Sequence, residues 1–209
     1  ALQNNKSSAT LMPFGEKNNP IGTITKCNPL LEFEWEGNKV KSNLVGKYNL
    51  YNFLTAISFG RLFKIKESNI IEALEKYTPS NNRSQFSQTV HNKLIIDCYN
   101  ANPSSVSAAI QNIIISDTKN KVLILGDMLE LGSQEKEEHE KIIEIAKEAN
   151  IKTYTVGKAF KSTQSDFASQ KFDTVEDGIS YFDENPLKNS LILLKGSRGI
   201  ALEKLIDKL

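Results

Sequence analysis

Asp97, Asn100 and Asn102 stand close together in D-C-Y-N-A-N-P, directly after the apolar run Leu94-Ile95-Ile96. A strand that delivers an acid and two amides to the start of a helix is how open α/β sheets build ligand sites, outside the carboxyl ends of their strands. Two later apolar runs end in a similar way. Val122–Leu125 leads into Gly126, Asp127 and Glu130, and Leu191–Leu194 leads into Lys195, Gly196, Ser197 and Arg198. In a parallel sheet all three ends face one edge, where acids, amides, a lysine and an arginine converge. That set suits a small zwitterionic ligand, because carboxylates hold an amine and Lys or Arg holds a carboxylate or phosphate. Each residue also has a plain structural reading. Asn102 before Pro103 makes a good helix N-cap. Asp97 is a turn former, and Gly196-Ser197 a tight turn and cap. His139, in step with Ile142 and Ala146, reads as packing, Cys98 as a small buried filler, and Trp35 as core.

The elements that must position these residues follow from periodicity. Residues 1 to about 45 read as short strands, with Leu31, Phe33 and Trp35 on one face and a hairpin turn at Glu36–Lys39. They look like an antiparallel edge with no partner sheet of its own. Leu50, Phe53, Leu54 and Ile57 fall at helical spacing, with Asn49 placed to cap that helix and Asn52 in its first turn. A second helix spans about 67–77. The polar break T-P-S-N-N-R-S at 78–84 marks a domain boundary. Beyond it Val90 and Leu94–Ile96 read as strand, 103–116 as helix, 122–125 as strand, 134–149 as helix, and 153–156 as strand. Residues 158–170 read as a short helix and loop, 175–182 as helix, and 191–194 as strand. In the last helix Leu202, Leu205, Ile206 and Leu209 fit an α-helical face. Strands alternating with helices predict a Rossmann-like, mostly parallel sheet covered on both faces.

The chain has 209 residues, 39% hydrophobic and 24% charged, with a formal net charge of +1. Nothing in that balance steers it to nucleic acid or acidic membranes. No apolar run reaches the roughly 18 residues of a membrane span. Two distant cysteines, Cys27 and Cys98, suit free thiols in the cytoplasm. There is no phosphate loop, no dinucleotide fingerprint, no nucleophile elbow and no His/Cys metal cluster.

Together D-C-Y-N-A-N-P (97–103), L-G-D-M-L-E-L-G (125–132) and L-K-G-S-R-G (194–199) resemble the C-terminal domain of the Mur ligases. G-K-Y-N-L-Y-N-F-L-T-A (46–56) is similar to the Gly-His-Asn-x-x-Asn segment that ends the family's central ATPase domain, and Arg83 matches an arginine at the junction of the two. The resemblance covers nearly the whole chain, most weakly over its first 30 residues. It divides the chain into 1–82, the strand-and-helix tail of a P-loop ATPase domain, and 83–209, the C-terminal domain. The polar turn at 78–84 is the expected hinge between them.

What the resemblance implies is an ATP-dependent carboxylate–amine ligase of peptidoglycan synthesis, of the branch that adds D-Ala-D-Ala. ATP phosphorylates the terminal carboxylate of UDP-MurNAc-tripeptide, and the amine of D-Ala-D-Ala attacks the acyl phosphate. Mg2+ and cationic groups stabilise the transferred phosphoryl. By position, Asn49 and Asn52 lie near the adenine, Arg83 near the phosphates and Asp97 on the ribose hydroxyls. Asn100, Asn102, Asp127, Ser197 and Arg198 form the substrate rim, with Arg83 and Lys195 the catalytic candidates. No metal ligand is assigned. Tyr48 departs from the usual histidine. The family's phosphate loop, magnesium-binding glutamate, modified lysine and UDP-binding domain match nothing here. The chain, which starts Ala1-Leu2-Gln3, is therefore expected to be a C-terminal fragment, monomeric, that folds without ligating alone. The competing readings are another Mur-type or folylpolyglutamate ligase, a non-catalytic Rossmann-like nucleotide-binding module, and a purely structural α/β domain.

Overall fold

A computed structural model describes residues 20–209. The sequence reading of strands before residue 20 lies outside the described residues. One nine-stranded sheet runs through the molecule in the order β1-β2-β3-β4-β5-β9-β6-β7-β8. Its first half is antiparallel: β1 (Gly22–Cys27), β2 (Leu30–Trp35), β3 (Asn38–Val45), β4 (Gln85–Gln88) and β5 (Lys93–Asp97). From β5 onward it is parallel, through β9 (Leu191–Lys195), β6 (Lys121–Gly126), β7 (Lys152–Val156) and β8 (Gln170–Phe172).

The alternation Leu31, Phe33, Trp35 turns one face of β2 inward, and all three are fully buried. Their cover is α1 (Asn49–Leu62) and α2 (Glu67–Lys76). Leu50, Phe53, Leu54 and Ile57 of α1 meet that face, with Phe33 and Phe53 stacked at 5.2 Å. In the parallel half β9 is apolar on both sides, as a strand between two helix layers must be. Leu191 and Leu193 enter a core with α3 (Pro103–Ile114), α4 (Glu135–Glu148) and α5 (Lys158–Lys161). Ile192 and Leu194 enter a second core with α6 (Val175–Glu184) and the C-terminal segment.

The structure corrects four readings. The antiparallel strands are not an orphaned edge: β4 joins them to the parallel sheet through a single registered pair, Leu44 with Gln85. β4 itself, Q-F-S-Q, carried too little apolar pattern to be read as a strand; its four pairs with β5 make it one. Val90 lies in the turn between them and is 93% exposed. The last helix, Leu202–Lys208, is 3-10 rather than α. Leu202 and Leu205 are three apart, a spacing both helix types place on one face, and with Leu209 they are buried.

Candidate functional site

The parallel register sets Asp97 beside Lys195 at the carboxyl ends of β5 and β9. Their side chains form an ion pair, Asp97 Oδ2 to Lys195 Nζ, at 3.0 Å. Lys195 is only 3% exposed in its side chain and Asp97 15%, so each needs the other; a buried charge without a partner is strongly destabilising. Lys195 also donates to the Asn100 carbonyl, and Asp97 Oδ1 accepts from the Ser84 amide at 3.3 Å.

Asp97 and Lys195 open onto a cavity of about 900 Å³. Residues of α1 and α2, of the segment Tyr77–Ser84 and of the start of α3 complete its lining. Phe53, Leu74, Tyr77 and Pro79 give it an apolar wall, against which a small set of polar groups is displayed. Asn49 does not cap α1; Tyr48 holds that position without a side-chain bond. Asn49 is instead the first helical residue and donates to the Val45 carbonyl at 2.7 Å. Asn52 donates to Asn49 Oδ1 at 2.8 Å, and both residues line the cavity. Asn102 does cap α3, in a reciprocal box with Ser105. Asn100 accepts from the Ala101 amide and also lines the cavity. The guanidinium of Arg83 lies 3.7 Å over the Tyr99 ring, and that of Arg198 lies 5.4 Å from it.

The parallel register brings all three strand ends to one edge of the sheet, but only two of them give side chains to the cavity. Asp127, at the end of β6, is 5% exposed and does not line the cavity. Its carboxylate accepts from the Ala159 and Phe160 amides, both at 2.9 Å, at the start of α5. Gly157 lets it in: a Cβ there would lie 2.2 Å from the carboxylate. Ser197 is also buried outside the cavity, accepting from the Leu129 amide at 3.0 Å. Arg198 reaches Tyr99 without lining the cavity. His139 is fully buried. Its Nε2 accepts from the Met128 amide at 3.0 Å, so the proton is on Nδ1, donated to the Glu135 carbonyl. That bonding matches a packing residue.

Sequence reasoning missed Ser84, Tyr99 and the apolar wall. Tyr99 sits inside the D-C-Y-N-A-N-P motif, so the signal for it was present; Ser84 and Pro79 lay in the stretch read as a domain boundary and hinge, where Arg83 alone was named for the site. Among the described residues no group of three or more His, Cys, Asp or Glu could hold a metal ion. Among them no helix is long and apolar enough to cross a membrane.

The family described as Mur ligase, glutamate ligase domain, matches residues 82–198. The chain belongs to the Mur ligase family. Family membership accounts for the parallel sheet and its helix layers, which solved relatives share. A UDP-N-acetylmuramoyl-tripeptide–D-alanyl-D-alanine ligase of Bacillus subtilis is 33% identical over 177 residues, 79% of this chain and 38% of that protein. MurF of Acinetobacter baumannii superposes with a TM-score of 0.82 at 26% identity, over 95% of this chain and 46% of that one. MurF of Thermotoga maritima, solved in complex with ADP, shares the fold with a TM-score of 0.75 at 21% identity, over 93% of this chain and 47% of that one. The chain thus spans less than half the length of these relatives.

Proposed function

We propose that this chain forms one side of the nucleotide and amine site of an ATP-dependent amide ligase that joins D-Ala-D-Ala to UDP-MurNAc-tripeptide in the cytoplasm. The observation that carries this reading is a single cavity with the Asn49–Asn52 amides on one side and the Asp97–Lys195 pair on the other. The names of the relatives supply the substrates, and the ADP-bound neighbour supports the nucleotide. The division at residues 82 and 83 belongs to the same proposal. It is supported by the sheet narrowing there to one registered pair.

The chain's residues fit the adenosine end of a nucleotide. Asn52 Oδ1 accepts from an exocyclic amine, the apolar wall takes the face of a base, and Asp97 accepts from a ribose hydroxyl. Arg83, on the Tyr99 ring, faces an anion. Lys195 acts through Asp97 and the Asn100 carbonyl, as a positioning residue. Asn100 and Asn102 line the amine's approach, with Arg198 beside them through Tyr99. Bound ATP supplies the phosphoryl group that activates the carboxylate. Among the described residues no cluster of carboxylates offers a magnesium site, and we assign none to them.

Ligand-observed NMR with ADP tests the reading. The wild-type chain is expected to bind ADP saturably at about millimolar strength and GDP more weakly, because Asn52 Oδ1 opposes the guanine carbonyl. Asn52→Ala, losing one hydrogen bond, should weaken ADP by up to about tenfold. Saturable binding that is equal for ADP and GDP and indifferent to Asn52→Ala would overturn the adenine placement. No binding at all would remove the nucleotide reading of this cavity.

A further inference from the structure

Tyr48 is the residue that departs from the family pattern, and its surroundings give it a use. Gly46 precedes it with φ +96°, and a Cβ at Gly46 would lie 2.5 Å from Tyr48 Cε1. The ring therefore occupies the space that a side chain at 46 would fill. This carries Tyr48 Oη to within 2.6 Å of Ser84 Oγ. Ser84 is held from both sides by its backbone. Its amide donates to Asp97 Oδ1 and its carbonyl accepts from the Val45 amide. It also sits in the left-handed region at φ 49°. Both residues line the cavity beside Asp97.

Two hydroxyl groups carry two protons, and the bond between them uses one. Whichever oxygen donates, the pair keeps one uncommitted O–H at the cavity wall. Burial, and then the charge of Asp97, push the Tyr48 hydroxyl up to about 12, so both groups are protonated at neutral pH. The wall thus offers a donor next to a carboxylate acceptor. A phosphate oxygen would take the donor but meet the charge of Asp97. A vicinal diol suits both, since one hydroxyl donates to Asp97 while the oxygen of the other accepts.

We propose that Tyr48 and Ser84 act as a hydroxyl pair that, with Asp97, reads the ribose diol of the bound nucleotide and favours ribo- over deoxyribonucleotides. This rests on the nucleotide reading above. The two hydroxyls are partly redundant, because either one left alone keeps a proton to donate.

The test is the affinity of ADP, 2′-deoxy-ADP and 3′-deoxy-ADP for the wild-type chain and three variants: Tyr48→Phe, Ser84→Gly and the double variant. Ser84→Gly suits the left-handed backbone, and Tyr48→Phe keeps the ring, so neither threatens the fold. The wild type should prefer ADP to at least one deoxy analogue by about five- to tenfold. Each single variant should keep most of that preference. The double variant should lose the preference over the analogue that lacks the hydroxyl facing the pair, by weakening ADP with that analogue's affinity unchanged, while Asp97 keeps any preference over the other analogue. A double variant that keeps the wild-type preference, or a wild type with none, overturns the proposal while leaving the nucleotide reading in place. Equal weakening of all three ligands would mark a merely structural role and also overturn it. No ADP binding by the wild type overturns both.

Discussion

Removing the carboxylate of Asp97 should cost more stability than removing the amine of Lys195, and removing both should cost less than removing the carboxylate alone. In Asp97→Ala the Lys195 ammonium keeps the Asn100 carbonyl but loses its counter-charge, in a side chain only 3% exposed. A buried charge stripped of its partner costs about 3–5 kcal/mol. Lys195→Met keeps the stem volume and leaves Asp97 with the Ser84 amide and its 15% exposed edge. That loss is nearer 1–3 kcal/mol, the cost of an under-satisfied polar group. In the double variant no charge is stranded, so a coupling of about 2 kcal/mol or more should appear in the cycle. Against a total stability of about 5–15 kcal/mol, urea titration followed by far-ultraviolet circular dichroism resolves such differences. Two results would refute the reasoning. One is a cost below about 1 kcal/mol for Asp97→Ala, the value of an exposed pair; the other is a double variant whose cost is the sum of the singles.

Other outcomes follow from the same kind of accounting. Gly157→Ala places a methyl 2.2 Å from the Asp127 carboxylate at φ +123°, so it should destabilise by at least about 2 kcal/mol, measured as a lower thermal midpoint. His139→Leu leaves the buried Met128 amide without its acceptor and should cost about 1–3 kcal/mol in urea titration. Leu193→Ala empties part of the core between β9 and α3 and should cost about 2–5 kcal/mol by the same method. Tyr48, pushed up to about 12, titrates near 10 when unfolded. Between those values the folded chain holds a proton that the unfolded chain has lost, so stability falls as pH rises. The contribution is whole below about pH 10 and gone above about pH 12. Comparing urea midpoints of wild type and Tyr48→Phe across that range should isolate it as a shallower fall in the variant.

The parallel half was legible because its strands are continuous apolar runs and its helices are amphipathic; Val106, Ala109, Ile110 and Ile113 are all buried as their spacing required. Segments whose structure comes from their neighbours were not. β4 and β8 are short and polar, and they exist as strands through pairing with β5 and β7. At the site, position along the chain revealed Asp97 and Lys195 but not their mutual bond, which depends on β9 lying between β5 and β6 although it follows both in sequence. Asp127 had the same signature as Asp97, a polar residue at a strand end. What separates them is Gly157, whose missing side chain lets the Asp127 carboxylate turn to the Ala159 and Phe160 amides, whereas Asp97 lines the cavity.

The single rung between Leu44 and Gln85 also bears on how binding and mechanics are related. On one side of it lies an antiparallel plate clad by α1 and α2; on the other, a mostly parallel plate, begun by β4, whose parallel strands are clad on both faces. The cavity straddles that seam, with Asn52 and Phe53 on one plate and Asp97 and Lys195 on the other. A molecule seated there touches both plates and serves as an additional rung. Its affinity then includes whatever work is needed to hold the plates at one angle. A substitution that stiffens the seam, such as one extending the β3–β4 ladder, would tighten binding without touching the ligand if it fixes the angle the ligand needs, and weaken it if it fixes another.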